Sequence, residues 1–179
     1  VSMCGQGRRF VQFGKRRDRP FVAINCGALN ETLLENELFG HVKGAFTGAM
    51  QEQEGLFAAA DKGTLFIDEV CEMGLSIQKK FLRVLENGEY MRLGEARMRK
   101  VDVRILAATN KDMKLQVSQS QFREDLFYRL NVLHIAVPSL KERKSDIPRL
   151  VQHLLENRPA LAGQRFDIDP PAMRLLEEY

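Results

Sequence analysis

The chain has 179 residues, 44% of them hydrophobic, which is enough for one packed domain and the start of another. Its net charge of +3 is unevenly placed: six basic residues against Asp18 give +5 between Arg8 and Arg19, leaving −2 for the remainder. That distribution argues against a body that binds nucleic acid directly, and the basic arm reads first as a solvated face. There is no run of 18 apolar residues and no basic-then-apolar leader, so nothing points to secretion or a membrane span, and the expected location is cytoplasmic. Three scattered cysteines (Cys4, Cys26, Cys71) fit reduced thiols, and no Cys/His set has zinc spacing.

In chain order, "PFVAIN" (20–25) predicts a buried strand. "NETLLENELFG" predicts a helix capped by Asn30, striped by Leu33, Leu34 and Leu38, and closed by Gly40. "GHVKGAFTGA" (40–49) follows, too rich in glycine for either regular element yet carrying one aromatic side chain. "EGLFAAA" (54–60) predicts a short helix ended by Asp61-Lys62-Gly63, and "TLFID" (64–68) a second buried strand. "LSIQKKFLRVLENGEY" places Ile77, Phe81, Val84 and Leu85 at helical spacing, with Ser76 as cap and Gly88 as stop. "EYMRLG" and "MRKVDVRILAATN" read as strands about a Gly94-Glu95 turn. "FREDLFYRL" (122–130) predicts a helix, "VLHIAV" (132–137) a strand, and "IPRLVQHLLEN" a helix capped by Ser145 or Asp146. A last helix begins at Pro170-Pro171 behind Asp169. Apolar strands alternating with amphipathic helices predict an α/β sandwich on a mainly parallel sheet.

Strand "TLFIDE" ends in two carboxylates at the carboxyl edge of such a sheet, where open α/β folds bind ligands. In a nucleotide hydrolase Asp68 would hold Mg²⁺ through water and Glu69 would polarise the attacking water; as bare residues, the pair reads first as caps of the next helix. Thr109 and Asn110, ending the 103–108 run, could position a water or sense a γ-phosphate, or simply form a turn. Arg123 and Arg129 point about 120° apart on a helix, so intramolecular pairing with Glu124 or Asp125 competes with reaching into a neighbouring subunit.

Taken in order, "ELFGHVKGAFTGA", "GTLFIDE", "FLRVLENGEYMRLGE", "VRILAATN" and "FREDLFYRLNV" resemble the central AAA+ domain of sigma-54-dependent transcriptional activators, the bacterial enhancer-binding proteins. The likeness runs from about Pro20 to Tyr179. It implies an AAA+ αβα core over 20–160, a helical lid beginning within 161–179, and an atypical basic segment over 1–19. It also implies an ATPase using ATP and Mg²⁺, with Asp68 and Glu69 as the Walker B pair and Asn25 as the asparagine of a glutamate switch. Thr109 and Asn110 match sensor I, and Arg123 and Arg129 the arginine-finger region of a hexameric ring. Gly44, Ala45, Phe46, Thr47, Gly48 and Ala49 match the loop that contacts sigma-54, whose remodelling drives open-complex formation by RNA polymerase. Enhancer DNA binding is expected only through a domain outside this sequence.

One part of the family pattern has no clear match. A phosphate loop of the form Gly-x-x-Gly-x-Gly-Lys should precede the first strand, to cradle phosphates with backbone N–H groups and a lysine. The nearest stretch is "CGQGRRF", in which Gly5 and Gly7 keep the pattern but Arg8 takes the lysine position. The expectation is therefore a domain fragment beginning partway through, ending before sensor II, and weak in hydrolysis by itself. The competing reading is a non-hydrolysing protein that keeps the sigma-54 or ring surfaces.

Overall fold

The computed structural model describes residues 13–156 and 168–178. Its centre is a parallel sheet of three strands, β1 (Phe21–Asn25), β4 (Thr64–Asp68) and β7 (Arg104–Ala107), in the order β1-β4-β7. Register pairs Asn25 with Asp68 and Ile67 with Ala107, so all three strands deliver their carboxyl ends to one edge. The middle strand is the buried one, because Leu65 and Ile67 are covered on one face and Thr64 and Phe66 on the other, while the outer strands are partly open.

Helix α1 (Glu31–Phe39) starts where expected: the Asn30 side chain accepts the Leu33 N–H at 2.9 Å, and Gly40 at φ +73° ends it. Leu34 and Leu38 are buried, but half of Leu33 faces solvent, and Phe39 takes its place in the core. Two short antiparallel strands follow, β2 (Gly40–His41) and β3 (Gln53–Glu54), then helix α2 (Leu56–Ala59). Helix α3 (Leu75–Asn87) buries Ile77, Phe81 and Val84 and stops at Gly88, as the sequence predicts. Its cap differs. Gly74 holds that position, and the Ser76 hydroxyl instead donates to Glu31 Oε1 at 2.6 Å, tying α3 to the first turn of α1.

The 98–108 segment is two strands, not one. Residues Arg99–Lys100 form β6 and pair antiparallel with β5 (Glu89–Tyr90), before the chain turns into β7. Helix α4 (Met113–Ser118), capped by Asp112, was not foreseen: its six residues carry too little periodicity. Helix α5 (Glu124–Leu130) begins behind Arg123 and buries Leu126.

A further departure is the 132–137 segment, predicted as a strand. It makes no ladder among the described residues, and Val132, Leu133, Ile135 and Val137 stand 57–83% exposed. An apolar run becomes a strand only where a neighbour supplies the hydrogen bonds, and sequence pattern alone cannot report that partner.

The chain divides into two compact units after Leu133. The second unit contains a 3₁₀ turn (Leu140–Asp146) with a capping box between Ser139 and Glu142. Helix α6 (Ile147–Glu156) follows directly, and α7 (Pro170–Glu178) starts behind Asp169 as expected. No helix among the described residues is long and apolar enough to cross a membrane.

The basic arm is not wholly solvated. Arg16 Nη1 donates to the Gly63 and Asp102 carbonyls at 2.9 and 2.8 Å, and Nη2 to Asp102 Oδ1 at 2.6 Å. One guanidinium thereby holds the arm against the turns that lead into β4 and β7, and it lowers the Asp102 pKa below the usual carboxylate range.

Candidate functional site

The carboxyl edge of the sheet brings together Asn25, Asp68, Glu69 and Thr109. Asn25 and Asp68 are register partners, and the Ala108 N–H donates to Ile67 O at 2.8 Å while the Val70 N–H donates to Ala108 O at 3.0 Å. Those two bonds carry the parallel pairing one step past the strands, so the 109–110 turn sits beside the acid turn.

Glu69 has φ +53° and ψ +46°, a left-handed conformation that costs a non-glycine residue about 1–2 kcal/mol. The bend turns its side chain away from the line of Asp68, so the adjacent acids point differently. Asp68 Oδ1 accepts the Glu69 N–H at 3.0 Å and steadies the bend. The Glu69 carboxylate lies directly over Gly27, close enough that a Cβ there would collide with it. Asn25 Oδ1 accepts the Gly27 and Ala28 N–H groups at 2.8 and 3.1 Å. Asn25 therefore acts on the turn beneath Glu69, and its hydrogen bonds here do not go to the carboxylate. Gly27 was missed in sequence because a glycine's role beneath a distant side chain leaves no local pattern.

Two buried thiols back this edge. Burial, followed by the charges of Asp68, Glu69 and Glu72, pushes the Cys26 pKa up to about 12. Cys71 is also raised, chiefly by burial, with the Thr109 hydroxyl and the Lys111 charge pulling it back. Both remain protonated packing groups at neutral pH. Thr109 Oγ1 accepts the Lys111 N–H at 3.1 Å, and Lys111 pairs with Glu72 at 2.7 Å, which fixes the turn that presents the exposed Asn110.

No cluster of three or more metal-binding side chains occurs among the described residues. Asp68 Oδ1 accepts the Glu69 N–H, while Oδ2 has no hydrogen-bond or ion-pair partner among the described residues, which suits an acid that would meet Mg²⁺ held mainly by water and phosphate. Gly5, Gly7 and Arg8 lie outside the described residues.

Arg123 and Arg129 are not brought together. Arg123, at the N-cap of α5, forks onto Asp125 at 3.0 and 2.6 Å, the intramolecular pairing that spacing alone suggested. That pairing also lowers the Asp125 pKa. Arg129 reaches the Leu85 carbonyl at 3.4 Å.

The glycine-framed loop stands on the β2–β3 base. Gly44 and Gly48 have φ +82° and +97°, and the Gly44 N–H donates to Ala49 O at 2.9 Å, closing the loop on itself. Phe46 is 44% exposed and leans on the ring of buried His41 at 5.0 Å between centroids, neither free nor in the core. His41 Nδ1 is 2.6 Å from Asn36 Oδ1, so the platform under Phe46 is itself fixed from α1.

A second loop touches the first. The Val42 N–H donates to Leu93 O and the Leu93 N–H to Gly40 O at 3.1 and 2.9 Å, and Gly94 packs against Ala45. Glu95 holds this loop by accepting from Arg99 Nε at 2.9 Å and Arg92 Nε at 3.1 Å. Those bonds, Arg99 foremost, lower the Glu95 pKa to about 2. A depressed carboxylate stabilises the fold above its unfolded pKa, and that contribution is lost as pH falls through the folded value. Amide protection across 91–99, taken as the exchange rate relative to the intrinsic rate at each pH, is therefore expected to fall as pH drops from about 4.5 towards about 2. A Glu95 carboxyl that titrates like a free glutamate would remove the clamp.

The model of the family described as the Sigma-54 interaction domain matches residues 7–136, beginning earlier than the likeness read from Pro20. AtoC of Escherichia coli (strain K12) is 50% identical over 174 residues, covering 96% of this chain and 38% of that protein. The Nif-specific regulatory protein of Azotobacter vinelandii is 52% identical over 164 residues, covering 92% of this chain and 31% of that protein. NtrC of Azospirillum brasilense is 48% identical over 180 residues, with coverages of 98% and 37%. Among solved structures, NtrX from Brucella abortus superposes with a TM-score of 0.88 at 33% identity, over 98% of this chain and 40% of that one. Its complex with ATP gives 0.84 at 34% identity, over 97% of this chain and 37% of that one. The chain thus spans well under half the length of these relatives.

Proposed function

The chain belongs to the sigma-54 interaction domain family, and from that premise we propose that it is the ATP-driven remodelling domain of a sigma-54-dependent transcriptional activator. The observation that carries this reading is the 44–49 loop. A half-exposed phenylalanine, framed by two left-handed glycines, rests on a histidine fixed from below. An aromatic held at the surface has a partner to meet, and sigma-54 in the polymerase holoenzyme is that partner. Gly44, Ala45, Phe46, Thr47, Gly48 and Ala49 form the contact whose movement drives open-complex formation.

The chemistry lies at the sheet edge. ATP supplies the phosphoryl group, and Mg²⁺, when bound, neutralises charge on its oxygens. Asp68 would hold the ion through water, and Glu69 would take the proton of the attacking water. Asn25 steadies the turn beneath Glu69, while Thr109 and Asn110 sense the γ-phosphate. The NtrX complexes with ADP and ATP support nucleotide binding in this fold.

Arg123 and Arg129 serve a neighbouring subunit's site in a ring, the hexamer of the family, which requires Arg123 to leave Asp125. Both partners of that pair are more than one-third exposed, so parting them costs at most about 1 kcal/mol, less than a multiply charged phosphate returns. Residues 20–160 form the sigma-54 interaction core, 161–179 begin the lid, DNA is bound by another part of the protein, and the setting is the cytoplasm.

Phe46→Ala is expected to weaken binding to purified sigma-54 at least about tenfold, the scale of a buried aromatic anchor, without altering the fold. Unchanged affinity for a correctly folded variant would remove the loop from the interface.

A further inference from the structure

Gln78 is fully buried on α3, on the same face as Ile77, Phe81 and Val84. A primary amide in such a place is costly unless every polar atom is met. Here each is. Nε2 donates to the Met73 carbonyl at 2.7 Å and to the Gln121 carbonyl at 3.0 Å, and Oε1 accepts the Arg123 N–H at 2.9 Å.

All three partners are backbone groups, so the amide fixes chain positions whatever side chains those positions carry. Met73 closes the 3₁₀ turn Val70–Glu72 that begins at Glu69. Gln121 and Arg123 are the approach to α5, and Arg123 is its N-cap. Phe122 between them is buried, which seats this approach against the core. One side chain therefore joins the exit of the acid turn to the residue from which the Arg123 guanidinium projects. An apolar residue of equal length would fill the same volume but could not set this register.

We infer that Gln78 is a positioning residue that couples the Glu69 turn of a subunit to the Arg123 arginine of that same subunit. This rests on the proposed ATPase reading, in which Arg123 acts at the next subunit's nucleotide. The acid turn and the finger then belong to two different sites of the ring, and Gln78 is a hydrogen-bonded link between them within one chain. Its three bonds relay a shift of the acid turn, through the backbone, to the base of the finger.

The test compares Gln78→Met, Arg123→Ala and the double variant in ATP turnover, together with amide exchange of Gln78→Met without nucleotide. Gln78→Met is expected to lower kcat about tenfold with KM within about twofold, and to change nothing further when Arg123 is already alanine. Amides 121–125 are expected to exchange at least about tenfold faster, with those of β4 unchanged. Unaltered exchange at 121–125, or an equal loss of kcat in both backgrounds, overturns the inference. If Arg123→Ala is harmful and Gln78→Met is not, the inference falls and the ATPase reading stands. If the unsubstituted protein turns over no ATP, or Arg123→Ala costs nothing, the ATPase reading fails and the inference falls with it.

Discussion

Glu69→Gln is expected to reduce ATP turnover by about 10²–10⁴-fold while nucleotide binding persists, because it removes a general base and keeps its shape. Three features support the proposed roles of Glu69 as the base and Asp68 as the ion holder. The Glu69 backbone adopts φ +53°, a strained conformation at the end of a buried strand, and strain of this kind persists where it aims a side chain. Its carboxylate sits over Gly27, on a turn whose N–H groups are held by Asn25. Asp68 spends one oxygen on the Glu69 N–H, which leaves the other without a partner among the described residues. Asp68→Asn should act differently: the ion loses its anchor, and nucleotide affinity in the presence of Mg²⁺ falls along with turnover. The measurement is steady-state phosphate release beside a nucleotide titration. Glu69→Gln turnover within about threefold of the unsubstituted rate would assign the proton transfer elsewhere.

The parts of this design that sequence revealed are those written in local pattern. Strands β1 and β4, helix α3 and its Gly88 stop, and the Asn30 cap each follow from residues within a few positions of one another. Asp68, Glu69 and the glycine-framed loop were legible because short motifs carry them. What escaped depends on partners far along the chain. The 132–137 run has the composition of a strand and no described neighbour to pair with. Arg16 holds Asp102 across 86 residues, and nothing near Arg16 announces it. Gln78 left a faint trace, an amide on an otherwise apolar helical stripe, and a polar residue on a buried face is a signal that helical periodicity can supply. Gly27 left none, since its role is to lack a side chain beneath Glu69.

Phe57→Ala should cost about 3–5 kcal/mol of stability, a large share of a domain's margin of about 5–15 kcal/mol. Phe57 is fully buried on a four-residue helix that could not exist alone. Its ring meets Phe39 at 5.3 Å, Phe81 at 5.9 Å and Tyr90 at 6.2 Å, so one side chain joins α1, α3 and β5. Truncation removes aromatic contacts to three elements at once, and the surrounding rings cannot all move inward to close the gap. The consequence reaches the loop, because Phe39 ends the helix whose next residues, Gly40 and His41, form the base on which Phe46 rests. A denaturant titration of Phe57→Ala should therefore show a lower midpoint with nearly unchanged slope, and its affinity for sigma-54 should fall even where the variant remains folded. Phe57→Leu, which refills most of the volume, should recover much of the stability. A variant with the unsubstituted midpoint would mean that the aromatic cluster does not hold the loop base to the sheet.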